Sequence, residues 1–212
     1  FWGRVMAHEL LHFWNGHSLV PRERSEEWFK EGVTDYLTIT SMAKNGLYDR
    51  TYLLHFLENL GRGQTVARQA QGLKTTVQQA VDDKHNSWLL VYGGGSIAAL
   101  AMDVELRHAT QDKFGLPDLM RAMYAEFGQP GKTWTLNDLL RVAKQSSGQD
   151  LAPMLKRIIA TTEPADLAPI FARIGLDYEH HLQLLDHYLL PDANATPVAK
   201  QRFQAMFGIA LP

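Results

Sequence analysis

Apolar residues along this chain recur at helical spacing between clear stop signals, and no stretch of Val, Ile and Thr alternates with polar residues over several positions. That pattern predicts a mainly α fold. The first helix covers residues 1–14 and stops at Asn15-Gly16. After a loop holding Pro21, a second helix opens at Ser25-Glu26-Glu27 and runs to about Lys44, where Asn45-Gly46 ends it. A third covers Asp49 to Leu60 and closes at Gly61. The polar, Gln-rich stretch from Gly63 to Ser87 reads as irregular with at most a short helix. Leu89 to Thr110 is an apolar helix interrupted near its start by Gly93-Gly94-Gly95. Leu116 to Phe127 follows with Pro117 in its first turn. Further helices are expected from Thr135 to Ser146 and from Asp150 to Thr161. Two or three shorter ones run from Asp166 to the end, the last set off by the Pro/Ala/Asn-rich stretch Leu190 to Pro197.

The chain has 212 residues, which suits one domain or one domain with an appendage. A formal net charge of −2 and the lack of a basic patch interleaved with aromatics give no support to a nucleic-acid partner. No apolar run is expected to reach the length of a membrane span. With no cysteine in the chain, a metal site here has to use histidine and carboxylate.

His8-Glu9-Leu10-Leu11-His12 is an HExxH pattern. On a helix, positions four apart are turned by about 40° and raised by about 6 Å, so both imidazoles leave one face. That spacing suits two ligands of one tetrahedral zinc ion. Glu9 is turned by about 100° from His8, out of ligand range but near enough to hold a water at the metal as general base. The alternative is two surface histidines on an amphipathic helix. A catalytic zinc of this kind needs a third protein ligand. Glu31 follows on the next expected helix, flanked by apolar Trp28, Phe29 and Val33, so its side of that helix faces inward. A buried carboxylate is costly unless paired or bound to metal; Glu31 alternatively pairs with an arginine or caps a turn. Asp35, one turn further on, is placed to accept a hydrogen bond from the outer nitrogen of a ligand histidine, or else is a solvated acid. Asn15 and His17 read as plain loop residues. His55, His85, His108, His180, His181 and His187 read as surface or satisfied core histidines, and Asp103 with Arg107 as a structural ion pair.

HELLHFWNG followed by WFKEGVTDY resembles the gluzincins, zinc metallopeptidases whose third ligand is a glutamate on the following helix. Within them the chain is similar to the glycyl aminopeptidase family, relatives of aminopeptidase N and leukotriene A4 hydrolase. The likeness continues through Val91-Tyr92-Gly93-Gly94-Gly95-Ser96, Ala98-Ala99-Leu100, Asp103-Val104-Glu105-Leu106-Arg107 and Leu119-Met120-Arg121 before Phe127-Gly128, and covers Val5 to Gly175. It implies a zinc aminopeptidase acting on peptides, with Tyr92 matching the tyrosine that hydrogen-bonds the oxyanion. It also implies that residues 1–175 are the helical part of a thermolysin-like catalytic domain, with a helical extension over 176–212. The β-rich region that the family carries ahead of the zinc motif would precede this chain, which is then a piece of a longer protein; the compartment stays open. The family has lysine where this chain has Gly94, and three successive glycines are expected to loosen the segment that positions Tyr92. Two competing functions remain. One is a zinc endopeptidase. The other is a non-catalytic module that keeps the fold as a scaffold, against which Glu9 argues, since a scaffold needs no general base.

Overall fold

The computed structural model describes residues 2–181 and 186–212. Phe1, the first position of the expected N-terminal helix, and residues 182–185 of the expected C-terminal extension lie outside the described residues. The fold is mostly helical, as the periodicity predicts. Helix α1 spans Trp2–Leu11. The chain then turns through Asn15 into a short strand, β1 (Val20–Pro21), which pairs in parallel with β2 (Thr133–Trp134). A 3-10 turn at Arg24–Glu26 and a π-helical turn at Phe29–Val33 lead into α2 (Thr34–Lys44). Helix α3 (Arg50–Thr65) is capped by Asp49, whose carboxylate accepts from the Tyr52 amide at 2.8 Å.

The polar segment that follows holds a π turn at Val66–Ala70 and a 3-10 turn at Gln79–Asp83. A third π turn, Leu89–Gly94, runs straight into α4 (Gly95–Ala109). Helices α5 (Leu116–Phe127), α6 (Leu136–Ser147), α7 (Ala152–Ile159) and α8 (Ala168–Ala172) complete the bundle. Helix α4 is its axis. Every residue from Gly95 to Val104 is buried, and α2, α5, α7 and the Phe29–Val33 turn all pack against it. The run Leu89–Ala109 is in fact long and apolar enough to cross a membrane, with a mean hydropathy of 1.4. However, 78% of its most apolar window is buried within the fold, as a core helix requires.

Residues 176–191 depart from the helical expectation. They form an antiparallel hairpin of β3 (Leu176–His181) and β4 (Asp186–Pro191), followed by α9 (Pro197–Phe207). The alternation is present in Leu176-Asp177-Tyr178-Glu179, but on β4 one inward position is taken by His187, which an apolar count passes over. Its Nδ1 meets the Tyr178 hydroxyl at 2.6 Å while its buried Nε2 has no hydrogen-bond partner, so it is a core histidine only half satisfied, and His55, His85, His108, His180 and His181 are exposed. The Asp103–Arg107 ion pair is also present, at 2.8 Å and buried, and Asp103 accepts from the Tyr36 hydroxyl as well. The hairpin and α9 contribute Leu176, Tyr178, Leu189, Phe203, Met206 and Phe207 to the same core as the helices.

Asn45-Gly46 ends α2 as expected, but Gly61 does not stop α3 and Gly95 is taken up by close packing. Gly61 sits inside α3, where a β-carbon would meet the Tyr178 hydroxyl at 2.1 Å. Gly95 is where α4 crosses the Phe29–Val33 turn. A β-carbon on Gly95 would lie 2.2 Å from the Trp28 carbonyl oxygen, and one on Gly32 would lie 2.3 Å from the α-carbon of Gly95. The Ser96 hydroxyl donates to the Gly32 carbonyl at 3.0 Å across the same contact. Backbone therefore meets backbone at this crossing, and a side chain on either helix would force them apart. Replacing Gly32 or Gly95 with alanine is expected to destabilise the fold by about 3 kcal/mol, the upper end of overpacking costs, because no flexible side chain can yield. Urea unfolding midpoints measure this; wild-type midpoints in both variants would mean that the helices separate at no cost.

Candidate metal centre

Three elements meet at one point. Helix α1 turns His8 inward to 8% exposure, with His12 one turn further along the same face. The π turn at Phe29–Val33 carries Glu31, 5% exposed, beneath both imidazoles. The π turn at Leu89–Gly94 brings Tyr92 alongside, its ring centroid 6.1 Å from that of His8. The glycine crossing fixes the separation between the second and third of these elements.

Glu31 Oε2 lies 3.4 Å from His8 Nε2 and 3.3 Å from His12 Nε2, and all three ligating atoms fall within 4.8 Å of one another. Zinc bonds of about 2.0–2.1 Å to nitrogen and oxygen give a tetrahedral edge of about 3.3–3.4 Å. The two distances therefore match the spacing a four-coordinate zinc needs. Among the described residues this is the one group of three such side chains placed to hold a metal ion, and it is the trio expected from the sequence.

The outer nitrogens are also engaged. His8 Nδ1 donates to Asp35 Oδ1 at 3.1 Å, and Asp35 is held in turn by Arg4 at 2.7 Å. His12 Nδ1 donates to the Asn15 carbonyl at 2.9 Å. A carbonyl can only accept, so the proton of neutral His12 sits on Nδ1 and the Nε2 lone pair points to the centre. Asp35 does the same for His8 and is not a solvated acid. Asn15, read from sequence as a plain loop residue, is 2% exposed. Its side-chain amide donates to the Phe29 carbonyl and the Thr34 hydroxyl, each at 3.0 Å, and so ties the turn after α1 to the turn carrying Glu31. His17 is exposed and takes no part.

The carboxylates of Glu31 and Asp35 draw positive charge onto the two imidazoles. Burial disfavours charge on His8, but hydrogen bonds and attraction from Asp35 and Glu31 outweigh it and raise its pKa to about 9. The hydrogen bond to Glu31 raises His12 against burial. Burial pushes Glu31 up, yet hydrogen bonds from His12, His8 and Lys84 hold it far below the usual carboxylate range. Without metal, two imidazole protons face one carboxylate oxygen; a divalent cation replaces both protons and satisfies the three donors together. The residues present fit zinc. Lys84 is a second participant missed in the sequence: its ammonium donates at 2.7 Å to both Glu31 Oε1 and Glu27 Oε1. No local pattern signals it, because it lies 53 residues from Glu31.

A cleft of about 330 Å³ opens on the centre, lined by Arg4, Val5, His8, Glu9, Asp35, Trp88 and Tyr92. Glu9 is exposed and lines this cleft with His8. Burial and the nearby Glu31 charge push the pKa of Tyr92 up, so the phenol stays protonated as a hydrogen-bond donor. Three larger cavities among the described residues, of about 440, 530 and 700 Å³, are lined by no histidine.

A model of the M61 glycyl aminopeptidase family matches residues 2–97, a span that contains the ligand trio, Glu9, Asp35 and Tyr92. The chain resembles the glycyl aminopeptidases. Its fold is similar to that of an aminopeptidase N family protein from Idiomarina loihiensis, with a TM-score of 0.72 and 21% identity over 84% of this chain. The chain spans 34% of that protein's length. No curated protein matches. The family match supports a peptidase, and the fold is consistent with the helical part of an aminopeptidase-like domain.

Replacing Asp35 with alanine, which removes the partner that orients His8, or Asn15 with alanine, which keeps the carbonyl facing His12 but removes the amide that holds the Glu31 turn, is expected to weaken metal binding by about 10–100-fold. Competition against a chromophoric chelator reads this directly. Parent-like affinity in both variants would show that the ligands need no such support.

Proposed function

We propose that this chain carries the catalytic centre of a zinc metallopeptidase that acts as an aminopeptidase, within a thermolysin-like domain. The observation that carries the reading is the convergence of His8 Nε2, His12 Nε2 and Glu31 Oε2 at tetrahedral spacing beside a cleft that also holds Glu9 and Tyr92. His8, His12 and Glu31 would hold the metal. When bound, zinc supplies Lewis acidity, lowering the pKa of a water and polarising the substrate carbonyl.

The rest is the work of the side chains. Glu9 takes the proton of the attacking water and delivers it to the leaving amine as the C–N bond breaks, so one carboxylate serves as base and then acid. Tyr92 donates its hydroxyl proton in a hydrogen bond to the carbonyl oxygen as that oxygen gains charge. Asp35 and the Asn15 carbonyl hold the two imidazoles in the required tautomer. Action on a free N-terminus, with glycine or alanine first, rests on the family likeness. The outer face of α1 exposes Trp2, Met6 and Leu10, and the turn after it Phe13, at 57–76%, an apolar stripe suited to packing against an upstream β region of the same protein.

Glu9→Gln is expected to abolish hydrolysis of alanyl and glycyl amides while metal content stays at the parent level. Tyr92→Phe is expected to lower kcat by about 10²–10³-fold, the effect of losing one oxyanion donor. Retained activity in Glu9→Gln, measured beside a metal-free His12→Ala control, would sink the mechanism. Cleavage of N-acetylated peptides at the same rate as free ones would replace aminopeptidase with endopeptidase.

A further inference from the structure

Glu31 has two carboxylate oxygens, and they face different partners. Oε2 faces the two histidines, while Oε1 accepts from Lys84 Nζ at 2.7 Å, with Lys30 Nζ at 3.7 Å on the same side. Lys84 also donates to Glu27 Oε1 at 2.7 Å and stands 5.3 Å from the centre of the Tyr92 ring. Glu27 lies four residues before Glu31 on the same helical run, where two carboxylates without a shared cation would repel each other. One ammonium, with its three donors, is thus set between both carboxylates and the face of the tyrosine expected to meet the substrate oxygen. It lies just beyond the 3-10 turn Gln79–Asp83, which packs against the turns Arg24–Glu26 and Leu89–Gly94.

We propose that Lys84 is a positioning residue for the metal centre: by occupying Oε1 it restricts Glu31 to one ligating oxygen, and so keeps a coordination position open. The inference rests on the metallopeptidase reading and adds a device to it. A carboxylate with both oxygens free can bind a cation through one or both. If the second oxygen entered here, the ion would gain a protein ligand where water and substrate must bind.

Cobalt(II) in place of zinc reports this directly, because its visible absorption band is strong in four-coordinate sites and weak in sites of higher coordination. The protein, Lys84→Met and Lys84→Arg are each loaded with one equivalent of cobalt, with far-UV circular dichroism to confirm the fold. The parent is expected to give a strong band, Lys84→Met a band weakened several-fold and shifted, and Lys84→Arg a band close to the parent's, since it restores a cation between the two carboxylates. Equal bands in all three folded proteins would overturn the role of Lys84 while leaving the metal centre standing. Absence of a cobalt-dependent band in the parent, and of a histidine-dependent zinc content, would overturn the centre itself and the clamp with it. A merely structural lysine would change the dichroism or the unfolding midpoint without changing the spectrum.

Discussion

The carboxylate of Glu31 is a charge buried in an apolar wall formed by Trp28, Phe29 and Val33, and the site is built around satisfying it. A lone buried carboxylate would cost several kcal/mol or take up a proton. Here five groups share the work. Two imidazoles and one ammonium touch it, and Asp35 and Asn15 hold the imidazoles from behind. The arrangement has more potential positive charge than one carboxylate needs, which fits a place where protons on His8 and His12 give way to a metal ion.

That convergence depends on a distance set by glycine. Glu31 and Tyr92 lie on two helical runs that cross where Gly32 meets Gly95, backbone against backbone. Helices separated by larger side chains have axes about 8–10 Å apart. Gly94 belongs to the same packing, since a β-carbon there would meet Val77 at 2.7 Å. Gly94 and Gly95 thus serve close contact in the fold, while Gly93, directly after Tyr92, meets nothing within 4 Å.

Those parts of the site that follow from local periodicity were legible in the sequence. His8 and His12 share a face because they are four apart on a helix. Glu31 turns inward because its neighbours do, and Asp35 follows one turn later. Lys84 and the backbone of Asn15 were not legible, because their roles depend on contacts that no local pattern encodes. Asn15 looked like a helix stop, and it is one; its amide has a second use that only the packed turn reveals. In the fold, Asp49 and Thr135 mark helix starts where they were expected, but α3 runs past Gly61 to Thr65 and on into a π turn, because that glycine is there for the close approach of Tyr178. The hairpin at 176–191 was missed because buried His187 interrupts the apolar alternation, and its partner Tyr178 lies on the other strand.

The two π turns at the site show how the fold accommodates its chemistry. A π turn widens the helix and leaves carbonyls without their usual α-helical donors, which is costly unless another group supplies one. At Phe29–Val33 the donor is the Asn15 amide, which reaches the carbonyls of Phe29 and, at 3.4 Å, Lys30. The same residue's backbone carbonyl fixes the tautomer of His12. One asparagine therefore stabilises the irregular turn that presents Glu31 and orients the imidazole that must meet it. Helix α1 and the Glu31 turn cannot shift independently, because a displacement of either breaks bonds to the same residue, through its carbonyl to His12 and through its side chain to the turn. The ligand spacing is a property of this coupling more than of either helix alone, which is why two ligands separated by eighteen residues of chain arrive within a tetrahedral edge of each other.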